Sequence, residues 1–186
     1  MNGIEMTPAS DVVLLVFRCT LGVMIFLHGK NHLWGAGGVE GTTRWFASIG
    51  FRPAKVHAVM SGVVEIAVGA GLVVGLLTPL ACAALAGTML VAGWAEHRKN
   101  GFFIFKDGYE YVLVAGVAAI ALATIGPGTI SLDAVVGLVD YSPGLDGGDG
   151  LLGGDGALVA TAGLLGGVLL LATSWRPSRD DVGSAS

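Results

Sequence analysis

Two opposite charges stand out because each is alone in a run that otherwise reads as membrane core. Arg18 lies in VVLLVFRCTLGVMIFL, residues 12–27, and Glu65 in VMSGVVEIAVGAGLVVGLL, residues 59–77. A charge at the bilayer centre costs about 2.5–3.5 kcal/mol on insertion scales, so it persists only where a partner or a wet cavity meets it. Such a pair could be a buried ion pair that fixes helix register. It could equally be a polar floor for a ligand headgroup, or a carboxylate that handles a proton. By helix rise, Arg18 stands ~15 Å above His28 and Glu65 ~12 Å above His57, so the two are expected to meet. Gly22 beside Arg18, and Ser61 and Gly69 beside Glu65, leave room for close backbones. Arg18, Glu65 and Ser61 are the candidate intramembrane polar site.

His28, His32, His57 and His97 all fall at one expected membrane boundary. His28 and His32, four apart, could face one metal or haem. His57, Ser61 and Glu65 form a row on one helix face that could pass a proton. The alternative is a set of amphipathic histidines, half wet at an interface. No H-E-x-x-H run or haem-attachment motif is present, and no metal site is assigned. Glu110 opens a helix, where the dipole favours a carboxylate. With Tyr109 and Tyr111 it could instead line the mouth of the bundle, alongside His28, Lys30 and His57. Cys19 and Cys82 read as small apolar core residues, a redox-active pair being the alternative.

The elements that must position these groups are membrane spans. The chain has 186 residues, 53% hydrophobic and 13% charged, where a soluble domain has about a quarter charged. Its mean hydropathy is +0.74. Spans are expected at about 12–29, 57–77, 79–95, 110–125 and 157–174. The second and third are split only by Thr78-Pro79, where Thr78 can cap the new helix and Pro79 suits its first turn. Gly71-x-x-x-Gly75 and Gly163-x-x-x-Gly167 permit close helix contact. Residues 44–49, RWFASI, suit a short interfacial helix, and Trp94 with Phe102, Phe103 and Phe105 suits an aromatic belt.

Of the ten Lys and Arg residues, all but Arg18 fall on one side if there are five spans. That side is expected to be cytoplasmic, with the N-terminus outside and the C-terminus inside. The first apolar run lacks a basic n-region and a cleavage site, so it is expected to be a retained span. The segment GLDGGDGLLGGDG, residues 144–156, reads as a flexible acidic linker, with calcium-binding glycine–aspartate repeats as the other possibility. The expected organisation is a four-helix membrane domain (1–138), an acidic Gly/Asp-rich outer loop (139–156), a fifth transmembrane helix (157–175) and a cytoplasmic tail (176–186).

Several of these pieces together resemble the DoxX family of small bacterial membrane proteins. They are Arg18 with Leu21-Gly22, His28-Gly29-Lys30, Phe46 to Gly50 with Pro53, and Gly62, Glu65 and Gly69. Then come Gly75 to Pro79, Gly101-Phe102-Phe103, Asp107 to Tyr111, and Gly126-Pro127-Gly128 followed by Ser131-Leu132-Asp133. The resemblance spans about residues 12–138. It implies an all-α, polytopic transmembrane helical bundle with a four-helix core, to which this chain adds a fifth C-terminal span. It also implies association with redox systems, since a related DoxD-like family supplies a subunit of a thiosulfate:quinone oxidoreductase. No catalytic residue can be carried over.

The expected function is therefore a membrane subunit of a quinone- or thiol-linked redox system in the cell inner membrane. Quinone is the cofactor suggested, and the expected partners are membrane lipid and other subunits of a complex, with no nucleic acid. One alternative is a non-catalytic scaffold or assembly subunit, the fifth span offering a packing surface. The other is a small-solute transporter with Arg18 and Glu65 at its substrate site.

Overall fold

Several helix ends in this chain are set by local chemistry. The structure, a computed structural model, describes residues 7–139 and 156–177. The first helix, α1 (Pro8–Trp34), opens with a capping box in which the Thr7 hydroxyl accepts from the Ser10 amide and the Ser10 hydroxyl accepts from the Thr7 amide. Pro8 fills the first turn, where its missing N–H costs nothing. The short amphipathic α2 (Gly38–Ser48) buries Phe46 and follows Gly37 in the left-handed region. Next, α3 (Ala54–Val74) ends on Gly75 at φ 69°. A Cβ there would stand 2.7 Å from Ser131 Cβ and 2.9 Å from Arg18 Cζ, so glycine is required by both backbone and space. After a tight turn come α4 (Thr78–Ala95), α5 (Glu110–Ile125), a single turn α6 (Leu132–Val135) and α7 (Gly156–Ser174).

The chain forms the all-α membrane bundle that its hydropathy implies. Among the described residues three helices, α1, α3 and α4, are long and apolar enough to cross a bilayer, and α5 and α7 carry shorter apolar stretches. Antiparallel α1 and α3 meet through reciprocal glycines. A Cβ at Gly22 would lie 2.7 Å from the Gly69 carbonyl, and one at Gly29 would lie 2.7 Å from the Gly62 carbonyl. The aliphatic core runs through Ile25, Leu72, Leu85 and Leu122, all almost fully buried. α7 runs parallel to α4, and Gly163 and Gly167 press on the backbone at Ala83 and Gly87. Its end is docked: Trp175 Nε1 donates to the Ile49 carbonyl at 2.8 Å, and the Arg176 amide donates to the Gly50 carbonyl at 2.7 Å.

Two expectations change. Thr78 does not cap α4; its hydroxyl is buried without a hydrogen bond, and Asp133 does the capping from a distant segment. Gly71 and Gly75 do not form a helix-contact motif, because Gly75 is the terminator of α3. Gly163 and Gly167 make their close contact inside the chain, against α4, while a Cβ at Gly166 would meet nothing within 4 Å. The glycine–aspartate segment before Gly156 lies outside the described residues.

Candidate functional site

The two intramembrane charges do not pair. Among the described residues no ion pair involves Arg18. Its Nη1 donates to the Leu72 carbonyl at 2.9 Å and also to the Val73 carbonyl, while Nη2 donates to the Ile130 carbonyl. Leu72 and Val73 belong to the last turn of α3, where carbonyls lack helical partners and the dipole is negative. Arg18 is thus neutralised by a helix end, 2% exposed, and ties α1 to α3 and to the segment after α5. The physical reason for the miss is register. α1 continues to Trp34, and Gly29, not Arg18, stands opposite Glu65: a Cβ on Gly29 would lie 2.8 Å from Glu65 Cβ. That separates the charges by about eleven residues of rise along α1, or ~16 Å.

Two further carboxylates complete the Arg18 end of the bundle. Asp133 accepts from the Leu77 amide at 2.6 Å and the Thr78 amide at 2.8 Å. This holds Leu77 at φ 52°, a conformation that costs about 1–3 kcal/mol for a residue with a side chain. Asp11 accepts from the Thr129 amide at 2.7 Å and its hydroxyl at 2.6 Å. Sequence reasoning gave neither acid a role, because their partners are backbone amides of remote loops.

Glu65 lies in a different setting. It is 4% exposed, and Ser61 donates to its Oε1 at 2.6 Å. His32 Nε2 stands 3.5 Å from the same oxygen. The other oxygen, Oε2, is buried with no hydrogen-bond partner. A buried polar atom left unpaired costs about 1–3 kcal/mol, more when charged, so it marks a place where something else is meant to bind or where a proton resides.

Glu65 forms part of the wall of a cavity of about 410 Å³. Its walls come from four helices and the interfacial α2. His57, Ser61 and Glu65 line it from α3, and His32 lines it from α1. Trp45, Phe46 and Phe51 give aromatic walls, and Gly87, Gly163 and Gly167 give walls without side chains. Glu96 and His97 lie at the end of α4 that bounds it. The His32 ring stacks on Trp45 with centroids 5.7 Å apart, and His57 lies against Phe51 at 5.4 Å. Those aromatic contacts fix both rings. The space is mostly apolar with a few convergent polar groups, the usual make-up of a small-molecule site.

The residues expected at the bundle mouth are dispersed. His57 lines the cavity, joined to the Ser61–Glu65 pair by position and not by a hydrogen bond. His28 is exposed and stacks on Tyr111 at 5.5 Å, between α1 and α5. The Tyr111 hydroxyl is buried without a partner. Lys30 is exposed. Glu110 accepts from the Ile104 amide at 3.0 Å and so closes the loop before α5, and Tyr109 packs edge-on against Phe102. His28 and His32 face different partners, and among the described residues no group of three His, Cys, Asp or Glu could hold a metal ion. Cys19 and Cys82 are free thiols; Cys82 is buried in the core, and Cys19 donates to the Val73 carbonyl at 3.6 Å.

Sequence reasoning placed His32 beside His28 as a possible metal ligand and missed its link to Glu65. The aromatic pair Trp45-Phe46 was read only as an interfacial anchor. His28 and His32 lie one turn apart on the same face of α1, so their spacing carried no sign that the two rings meet different partners.

Compared with known families, residues 13–98 match the DoxX family model. This stretch covers α1 to α4 and ends before α5, so the similarities seen after residue 98 lie beyond it. No curated protein and no solved structure matches the chain.

Proposed function

Residues 13–98 match the DoxX family model, and from that premise we propose that the chain is the quinone-binding membrane subunit of a redox system. One observation carries the reading: an aromatic, largely apolar cavity of about 410 Å³ whose wall includes a buried carboxyl with one oxygen unpartnered. A quinone headgroup is a flat apolar ring with an oxygen at each end, and it calls for aromatic walls and a polar contact at the oxygen. Trp45, Phe46 and Phe51 supply the first, and Glu65 and His32 the second. Bound quinone would supply two-electron, two-proton chemistry.

Ser61 donates to Glu65 Oε1 and His32 stands 3.5 Å from it, so the unpartnered Oε2 is the oxygen that would meet the ring. With quinone bound, that oxygen would be the acceptor for a ring hydroxyl. The apolar glycine and aromatic walls keep water from competing for that contact. Arg18 plays no part in binding and serves as a helix-end clamp.

The reading also covers orientation. Lys30, Arg44, Arg52, Lys55, Arg98, Lys99, Lys106 and Arg176 lie within or beside the helix ends and connections on one side of the bundle, the side on which His32 and His57 lie. By charge bias that side is cytoplasmic, with the N-terminus outside, in the inner membrane. The redox partner is then a separate protein that meets this basic end.

The test is binding. Protein purified in mild detergent is titrated with a short-tailed quinone while tryptophan fluorescence is followed, since Trp45 lines the cavity. The expected result is saturable quenching, weakened about tenfold or more by Glu65→Gln and by His32→Ala, in line with the loss of a charged-group hydrogen bond. Absence of quinone from solvent extracts, together with equal quenching of the wild type and Glu65→Gln, would remove the proposal.

A further inference from the structure

A second cavity, of about 350 Å³, lies on the lipid-facing side of α4 and α5. Met89, Leu90 and Gly93 line it from α4; Leu113, Gly116 and Val117 line it from α5. Leu113 and Val117 are about half exposed, so the groove opens at the bundle surface. It runs along α5 from Tyr109 to Ile120, about 16 Å by helix rise, which is half of a ~30 Å hydrocarbon core. That is the depth of one leaflet.

The groove ends at Arg98. The guanidinium lies 4.6 Å from the centre of the Trp94 ring and 5.8 Å from that of Trp175, and Nε donates to the Trp94 carbonyl at 2.8 Å. These contacts aim the group and leave its two terminal nitrogens without a hydrogen-bond or ion-pair partner among the described residues. The nearby acids are engaged elsewhere: Glu96 with Lys99 at 3.1 Å, and Glu110 with the Ile104 amide. An oriented, uncompensated cation therefore sits at headgroup level, beside tryptophans, where an acyl-length groove ends.

We propose that this groove is a binding site for one anionic phospholipid, its acyl chain lying between α4 and α5 and its phosphate on Arg98. Charge selects the occupant. A guanidinium fork suits a phosphate's oxygens, and basic pockets between helices at one membrane face are where acidic lipids bind. Apart from Arg98 and Tyr109 at one end, the walls are almost wholly apolar, which suits an acyl chain. The site is separate from the Glu65 cavity and does not depend on its role.

Native mass spectrometry of the full chain in detergent, titrated with phosphatidylglycerol or phosphatidylcholine, tests it. A single phosphatidylglycerol adduct is expected to form at lower lipid concentration than the phosphatidylcholine adduct. Arg98→Ala is expected to weaken the phosphatidylglycerol adduct about fivefold, the worth of one interfacial basic residue. Arg98→Lys is expected to fall between, keeping charge without the fork. Gly116→Leu fills the groove, with room for a first atom 3.5 Å from Met89 Cβ, and is expected to weaken both lipids. Lys55→Ala removes an equal charge that pairs with Glu40 away from the groove and is expected to change nothing. Equal affinity for the two lipids would overturn the proposal, as would an equal loss in Lys55→Ala or undiminished binding in Gly116→Leu. A dimer mass in place of the lipid adduct would also overturn it, giving the groove to a second copy.

Discussion

The two ends of this bundle hold buried charge in opposite ways. At the Arg18 end, Asp11, Arg18 and Asp133 are spent almost wholly on backbone: amides of Thr129, Leu77 and Thr78, and carbonyls of Leu72, Val73 and Ile130, with the Thr129 hydroxyl as the one side-chain partner named. At the Glu65 end, one oxygen accepts from Ser61, with His32 3.5 Å away, while its neighbour is buried unpaired in a residue that lines an aromatic cavity. The first arrangement closes loops over helix ends and leaves little to offer a ligand. The second keeps a strong acceptor in reserve. A charge inside a membrane therefore does not announce function by itself. Its remaining hydrogen-bonding capacity distinguishes a clamp from a site.

Substitutions can break that contrast. The largest effect is expected from Arg18→Leu, which leaves three buried carbonyl contacts unmet and lowers stability by about 3 kcal/mol or more, read from unfolding in detergent. Quinone affinity of the fraction that stays folded is expected to match wild type; a specific loss of affinity would put Arg18 back in the site. Asp133→Ala is next. Without the carboxylate, Leu77 keeps its left-handed backbone and loses its cap, for a loss of about 2 kcal/mol by the same measurement. Glu65→Gln is expected to shift stability least, within about 1 kcal/mol in either direction, because replacing a buried charge by a neutral group of similar shape removes a desolvation cost along with an attraction. Its binding defect, about tenfold, is the sharper reading, and a large stability loss without one would make Glu65 another clamp.

The helices were largely legible from hydropathy. The Thr78-Pro79 hairpin, the short interfacial helix and the Ser61–Glu65 spacing also emerge from the sequence, since each depends on residues within a few turns of one another. The Arg18–Glu65 pairing did not, for two reasons. Depth was counted from His28 and His57 as if both marked the same membrane boundary, whereas α1 runs one and a half turns further, to Trp34. And the true partners of Arg18 are main-chain carbonyls, which every residue carries and no side-chain pattern reveals. The cavity was hidden for a related reason. Its walls come from α1, α2, α3, α4 and α7, and the glycines of α7 become a wall only once they lie against α4.

The reciprocal glycines of α1 and α3 carry one last implication. Gly22 and Gly29 are seven apart, as are Gly62 and Gly69, so the backbones nearly touch at two points two turns apart. Slipping one strand of this pair past the other by a single position would drive side chains such as Phe26 or Leu33 into carbonyls that now face bare Cα atoms. The two helices are notched together and travel as one rod. Any breathing that admits a guest beside Glu65 must come from the elements on the far sides of the space, and the rod is the fixed frame against which they move.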